Sequence, residues 1–175
     1  MNPSARVVFL PIALGALCPP AYAMVYMSVE QSQQLMFAGH TLSPLPLALT
    51  PEQIAAIERD AGVKVYAGSL RAWKGDDGYF FVDQVIGKHD LITYAVALSP
   101  DGTVRQVEIL EYREAYGGEV RNAHWRGQFV GRRHGDAVQA GRDIQNISGA
   151  TLSCTHVTDG IRRLLATYAI AIAPR

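Results

Sequence analysis

A run of strand-like segments joined by short turns constrains the fold of this chain more than any other feature. Two of the connections, Gly75-Asp-Asp-Gly78 and Ser99-Pro-Asp-Gly102, are strong turn sequences. The strand-like segments are residues 63–66, 69–73, 79–86, 91–98 and 104–112. Connections this short predict a mostly antiparallel sheet. The absence of a strand–helix–strand repeat and of a G-x-G-x-x-G sequence after a strand argues against a Rossmann-type nucleotide site.

A helix with clear end signals precedes the strands. Thr50 is placed as its N-cap, Pro51 takes the first helical position, and Gln53 completes a capping box. Gly62 ends this helix.

A shorter helix is predicted within residues 24–38, with Ser28 or Ser32 as its cap. Residues 41–49 contain two prolines and are predicted to form an extended linker between the two helices.

The last predicted helix is amphipathic and follows directly on the stretch Asp143-Ile-Gln-Asn-Ile-Ser-Gly-Ala-Thr151. At 100° per residue, one apolar stripe is expected to pack on the sheet. The members of this stripe are Ala150, Cys154, Val157, Ile161, Leu164, Leu165 and Tyr168. A flanking face holds Thr151, Thr155, Thr158 and Arg162. Gly160 costs a helix about 1 kcal/mol relative to Ala, so close packing or a local bend is expected there. Together the elements predict an α+β fold with flanking helices.

The charge balance excludes one class of partner. Lysine plus arginine number 16 and aspartate plus glutamate number 16, and no basic run is present. Nucleic-acid binding is therefore not expected. The five histidines show no paired metal-ligand spacing, and no Cys-His or Ser-His-Asp signature is present. A chain of 175 residues is long enough to bury a hydrophobic core, and it is expected to form one domain.

The first 23 residues have the pattern of a secretory signal peptide. Arg6 precedes an apolar run over residues 7–17, and Ala21-Tyr22-Ala23 fits a small-x-small cleavage site. The run contains Pro11 and is short for a membrane span, so an uncleaved anchor is the alternative. Cleavage would leave Cys154 as the only cysteine, and therefore no internal disulfide, in a periplasmic or otherwise exported protein.

Three segments resemble motifs of one family. Ser148-Gly149-Ala150-Thr151 resembles the S/T-G-A-T flavinylation motif of the FMN-binding domain family. That family includes the flavin-carrying subunits of the sodium-pumping NADH:quinone oxidoreductase and of the Rnf complex. Glu114-Ala-Tyr-Gly117-Gly118 is similar to the family's E-T-P-G-x-G loop, with Ala115 and Tyr116 in place of Thr and Pro. Trp125 with Gln128-Phe129 is similar to its W-x-x-x-F segment.

The resemblance implies a covalent cofactor, FMN joined to Thr151 by a phosphoester bond that a separate FAD:protein FMN transferase makes. The implied site residues are Thr151 as acceptor, Ser148, Gly149, Ala150, Leu152 and Ser153 around it, and Glu114, Tyr116, Gly117, Gly118 and Trp125 near the flavin. Small residues let backbone approach a bulky ligand, and the start of a helix favours a phosphate. The family often has an Asp six residues before the acceptor; here Gln145 takes that position and Asp143 lies two residues earlier.

Several of these residues also have a purely structural interpretation. Ser148 or Thr151 could simply cap the helix. Trp125 and Phe129 could be core neighbours at i, i+4. Cys154 suits a core position better than a role as a redox partner of the flavin.

The expected function is electron transfer by an exported flavoprotein, with the flavin rather than a side chain doing the redox chemistry. The alternatives are an FMN-dependent reductase of a small substrate and a non-covalent or flavin-free binding or sensory domain. The expected partners are the transferase and membrane or periplasmic redox proteins, with the protein itself a monomer. The expected organisation is a signal peptide over residues 1–23, a helical segment over 24–62 and the FMN-binding domain over 63–172.

Overall fold

The computed structural model describes residues 24–66, 70–114 and 116–173, and the predicted signal peptide at residues 1–23 lies outside this part of the chain. The strands are β1 (Met24–Val25), β2 (Ser43–Leu45), β3 (Arg71–Gly75), β4 (Gly78–Ile86), β5 (Leu91–Leu98) and β6 (Val104–Tyr112). The helices are α1 (Val29–Met36), α2 (Pro51–Ala61), α3 (Ala123–Gly127) and α4 (Thr151–Thr167). A 3₁₀ turn (Gly118–Arg121) precedes α3, and a π-helical turn (Tyr168–Ile172) continues α4.

These strands form one antiparallel sheet in the order β1-β6-β5-β4-β3-β2. Strands β3 to β6 follow one another as a meander because short turns connect them. Gly75 pairs with Gly78 across the first turn, and Gly102 has a φ of 83° in the last. Strands β5 and β6 have the predicted bounds, and β4 begins one residue before the predicted start. The α+β class with a mostly antiparallel sheet is confirmed.

Helix α4 covers one face of the sheet, and α1 covers the other. Phe81 and Phe80 are neighbours on β4, yet they belong to the core under α4 and the core under α1 respectively. The apolar stripe predicted for α4 is confirmed, because every one of its members is buried. Thr158, which was predicted on the flanking face, is instead fully buried. Its hydroxyl tolerates burial because it donates to the carbonyl of Cys154 at 2.7 Å.

The segment before the meander has the predicted helix ends and adds both edge strands to the sheet. Ser28 and Thr50 each form a complete capping box, with Gln31 and Gln53 respectively. Gly62 ends α2 in the left-handed conformation. The linker between the helices is extended as predicted, and it contains β2, which pairs with β3. Strand β1 pairs with β6 at the opposite edge.

The strand predicted at residues 63–66 is wrong, since the described chain has extended coil there. Side chains replace a neighbouring strand as hydrogen-bond partners. The Val65 N–H donates to the Glu58 carboxylate at 3.0 Å, and the Lys64 carbonyl accepts from Arg163 at 2.9 Å. The next predicted strand begins at Arg71, as β3. Residues 67–69 lie outside the described part of the chain.

Close approach of α4 to the sheet accounts for Gly160. A Cβ atom there would lie 2.3 Å from Oη of Tyr94 and 2.8 Å from Cγ1 of Val85, so the predicted close packing is confirmed. In the same interface Asp83 accepts hydrogen bonds from Arg163 at 2.7 Å and from Tyr94 at 3.0 Å. Burial and then the Asp83 charge raise the pKa of Tyr94 well above its ordinary value. The phenol therefore stays protonated and donates.

Candidate functional site

Helix α4 begins at Thr151, and Ala150 occupies its N-cap position. Within the described residues no side chain caps this helix, so the interpretation of Ser148 or Thr151 as a cap is wrong. A backbone turn leads into the helix instead: the Ala150 N–H donates to Ile147 at 3.0 Å, and the Ala150 carbonyl accepts from Cys154 at 2.9 Å. Ser148 and Thr151 are both exposed. The first-turn amides are thus not occupied by a cap and can face an anion.

Gly149 gives the turn before α4 its shape. Its φ of 85° lies in the left-handed region, where a residue with a Cβ atom is strained. A Cβ at Gly149 would meet no described atom within 4 Å. The backbone conformation, rather than crowding, therefore requires glycine here, and the space beside the turn is open to a ligand.

Trp125 holds the loop that leads to the motif. Its indole is buried, and Nε1–H donates to the Gln145 carbonyl at 2.8 Å. Gln128 accepts from the Gln145 N–H at 2.7 Å. Phe129, predicted as a core residue, is fully buried and packs edge-on against Trp125. Trp125 therefore supports the site from the protein core, through the Gln145 backbone. Because this contact is to a backbone carbonyl, it does not depend on whether position 145 is Gln, as here, or Asp, as is common in the family.

Tyr112 joins the loop after β6 to the first turn of α4. Its hydroxyl donates to the Tyr116 carbonyl, and it lies 2.8 Å from the Ser153 hydroxyl. A carbonyl can only accept, so Ser153 is the donor in the second bond. Burial, despite the Ser153 hydrogen bond, raises the pKa of Tyr112 above its ordinary value. Gly117 fits between the two hydroxyls, because a Cβ atom there would be 2.5 Å from Tyr112 Oη and 2.7 Å from Ser153 Oγ.

Glu114 turns toward a different loop, the connection between β4 and β5. Its carboxylate accepts from the N–H of His89 and, at 2.9 Å, from the N–H of Asp90. Partial burial acts to raise the pKa of Glu114, but the backbone donors of residues 88–90 outweigh burial and lower it. The carboxylate is therefore charged near neutral pH, and it fixes the loop after β6 to the β4–β5 connection.

Cys154 occupies the core position that the sequence favoured. It is fully buried, and its sulfur accepts the Ile147 N–H at 3.4 Å. Burial raises the pKa of the thiol, which disfavours the reactive thiolate. The cysteine thus supports the turn before α4.

The predicted site residues divide into those that surround Thr151 and those that support it. Tyr116, 87% exposed, and Leu152, 47% exposed, give the neighbourhood of Thr151 an apolar surface. Gly118 lies beside the aromatic rings of Tyr26 and Tyr112. Trp125 and Glu114 instead support the site by binding backbone groups. Trp125 donates to the Gln145 carbonyl, and Glu114 accepts from the amides of His89 and Asp90. The structure thus brings the segment at residues 114–118 close to the start of α4, where residues 148–151 lie.

This arrangement fits a phosphoester-linked flavin. Thr151 is exposed, the first turn of α4 is not capped by a described side chain, and the turn at Gly149 leaves open space. A helix N-terminus stabilises a phosphate through its free N–H groups and dipole. Among the described residues, no group of three or more His, Cys, Asp or Glu side chains is placed to hold a metal ion. No helix in the same part of the chain is long and apolar enough to cross a bilayer.

The fold and the site together define an α+β domain with an accessible threonine at a helix start. A family model, the FMN-binding domain, matches residues 87–166. The matched segment runs from the β4–β5 connection to the last turns of α4 and includes all three motif segments. The match confirms the resemblance and supports FMN as the cofactor. A search of curated proteins gave no match.

Tyr112 and Gln128 act on the site although the sequence assigned them no role in it. Tyr112 is the last residue of β6, two residues before the segment at residues 114–118. Gln128 stands within the W-x-x-x-F segment. A polar residue at the end of a buried strand was the one available signal for Tyr112. Its partner Ser153 lies 41 positions away, a distance that local patterns do not cover.

Proposed function

We propose that this protein carries FMN covalently on Thr151 and transfers electrons between redox partners. The observation that carries the proposal is the exposed residue Thr151 at a helix start that no described side chain caps, beside the turn at Gly149. The match to the FMN-binding domain supports the choice of cofactor. Bound FMN supplies reversible one- and two-electron chemistry, and the chain supplies its position and surroundings.

The attachment step would be a transfer from FAD catalysed by a separate FAD:protein FMN transferase. Oγ1 of Thr151 would form an ester bond to the phosphorus of the FMN half. The pyrophosphate bond of FAD would break, AMP would leave, and the threonine hydroxyl proton would pass to the departing phosphate. The first-turn amides of α4 favour the anionic ester that results.

An electron carrier needs its cofactor close to the surface, and the surroundings of Thr151 meet that need. Tyr116 and Leu152 present exposed apolar groups there, where a partner protein could approach the flavin. We propose that the protein is exported, acts as a monomer and exchanges electrons with membrane or periplasmic redox proteins.

Mass spectrometry of the protein produced together with an FAD:protein FMN transferase tests the attachment. The expected result is a gain of one FMN less one water, located on Thr151 by peptide fragmentation. Thr151→Ala should abolish the gain and leave the fold intact, since substitution of an exposed residue that caps nothing usually changes the free energy of unfolding by about 0.5 kcal/mol or less.

Thr155→Ala is the matched control, because that hydroxyl lies one turn later and donates to the Thr151 carbonyl at 2.9 Å. It should keep the modification. A protein of unmodified mass, or an equal gain in Thr151→Ala, would refute the proposal. Unfolding of Thr151→Ala would show that the threonine is structural.

A further inference from the structure

A cavity of about 220 Å³ opens between α4, the end of β4 and the coil after α2. Its described lining residues lie outside the three motif segments. Val63, Val85 and Ile86 give it apolar walls, and α4 contributes Gly160 and His156. This volume is below the ~300 Å³ at which sites for drug-sized ligands begin. The cavity therefore suits a compact ring system rather than a whole nucleotide.

The charged side chains of the cavity wall each have an ionic partner. Lys64 pairs with Glu58 at 2.9 Å, Arg163 with Asp83 at 2.7 Å, and Asp159 with Arg162 at 2.8 Å. An anionic or cationic ligand would have to compete with these pairs. Apolar walls with neutralised charges favour an uncharged ligand.

His156 offers such a ligand a directional polar contact. Its Nδ1 lies 2.9 Å from the Gly87 carbonyl. A carbonyl only accepts hydrogen bonds, so Nδ1 carries a proton. In the neutral ring, Nε2 is then the acceptor, and the Gly87 contact holds the ring in one orientation. A ligand with an N–H or O–H at its edge matches this acceptor.

The cavity also lies on the helix that carries the flavin attachment point, further along α4. His156 follows Thr151 by five residues, which is about 7.5 Å along the helix axis and about 140° around it. Leu152 is four residues before His156, so it lies on the same side of α4, and it is 47% exposed. Leu152 thus places an exposed apolar side chain on the cavity side of α4, next to the attachment point.

We propose that this cavity binds an uncharged planar redox ring through apolar contacts with β4 and a hydrogen bond to Nε2 of His156. Two sources share this chemistry: the isoalloxazine of the flavin held on Thr151, and a separate hydroquinone. Only the first source rests on the proposed function.

The test titrates Thr151→Ala protein, whose cavity no attached flavin can fill. Riboflavin lacks the phosphate and reports on the ring alone; its fluorescence quenching measures binding. Menadiol, titrated anaerobically by calorimetry, is the hydroquinone probe. Both affinities should fall about tenfold in the His156→Asn background, as expected for one lost hydrogen bond. The asparagine amide can still donate to Gly87, and circular dichroism on heating should therefore show an unchanged fold.

Two further variants sharpen the test. Ile86→Lys places a charge on an apolar wall at a side chain that is already 57% exposed, so it should weaken binding without unfolding the protein. His124→Asn changes an exposed histidine on α3 and should leave both affinities unchanged.

The outcomes separate the two sources. Riboflavin binding to Thr151→Ala that disappears in the FMN-loaded protein identifies the protein's own flavin ring as the occupant. Menadiol binding that persists in the loaded protein identifies a separate hydroquinone. Failure of both probes to bind, or affinities in the His156→Asn and Ile86→Lys backgrounds that equal those of Thr151→Ala alone, overturns the inference. Absence of covalent FMN in the mass measurement would refute the proposed function alone, because the Thr151→Ala titrations do not require attachment.

Discussion

Gly117→Ala should destabilise the protein strongly, because the glycine serves two needs at once. Its φ is 92°, a left-handed conformation that costs a residue with a Cβ atom about 1–2 kcal/mol. The new Cβ would also lie 2.5 Å from Tyr112 Oη and 2.7 Å from Ser153 Oγ. Both hydroxyls are held by the hydrogen bond between them, so they cannot move aside freely.

The magnitude follows from adding the two effects. Overpacking of a well-ordered site costs about 1–3 kcal/mol, and together with the backbone cost the free energy of unfolding should fall by about 2–5 kcal/mol. Gly135→Ala is the matched control, since its φ is 90° and a Cβ there meets no described atom within 4 Å. It should lose only the backbone part, about 1–2 kcal/mol.

Urea unfolding of the flavin-free protein, followed by tryptophan fluorescence, measures both values. The difference between the variants isolates the crowding at Gly117. Tyr112→Phe should lower the free energy of unfolding less in the Gly117→Ala background than in the wild type. In that background it removes Tyr112 Oη, the atom closest to the new Cβ. Equal losses in Gly117→Ala and Gly135→Ala, or strict additivity with Tyr112→Phe, would refute the account of this contact.

Three further substitutions test other parts of the structure. Arg163→Met should cost about 3–5 kcal/mol in urea unfolding because it leaves the buried Asp83 carboxylate without its cation, and Asp83→Asn in the same chain should recover part of this loss; no recovery would contradict the pairing. Glu114 has a lowered pKa, so its contribution to stability is present above its unfolded value near pH 4.5 and is lost as the pH falls through the folded value. Glu114→Gln should therefore flatten the acid side of the stability-versus-pH curve, and an unchanged slope would argue against the loop contact. Thr50→Ala should cost about 1 kcal/mol through loss of the α2 cap, and thermal unfolding at the wild-type temperature would contradict it.

Local sequence signals predicted the elements whose interactions are themselves local. The turn between residues 98 and 104 fixed the facing ends of β5 and β6, because a turn closes through its own backbone bonds. Thr50 and Gln53 defined the start of α2 for the same reason, since a capping box satisfies amides three residues apart. The stripe on α4 followed from helical periodicity.

Predictions failed where a contact outside the recognised pattern decided the outcome. Residues 63–66 have a strand-like pattern, yet Glu58 and Arg163 take up the backbone groups that a neighbouring strand would need. Ser148 and Thr151 have the right chemistry for a cap, yet the backbone turn at Ala150 starts the helix. Thr158 is fully buried, and its hydroxyl is satisfied by donating a hydrogen bond to the carbonyl of Cys154.

The sequence alone thus determined the antiparallel meander, the capped helices and the identity of the threonine motif, because each depends on residues close together in the chain. Only the tertiary structure decided what surrounds that motif. The contact of Tyr112 with Ser153 and the hold of Trp125 on Gln145 join residues 41 and 20 positions apart. Such pairs form when separate segments of the chain pack together, and no local pattern encodes which hydroxyl or carbonyl the packing will bring into reach.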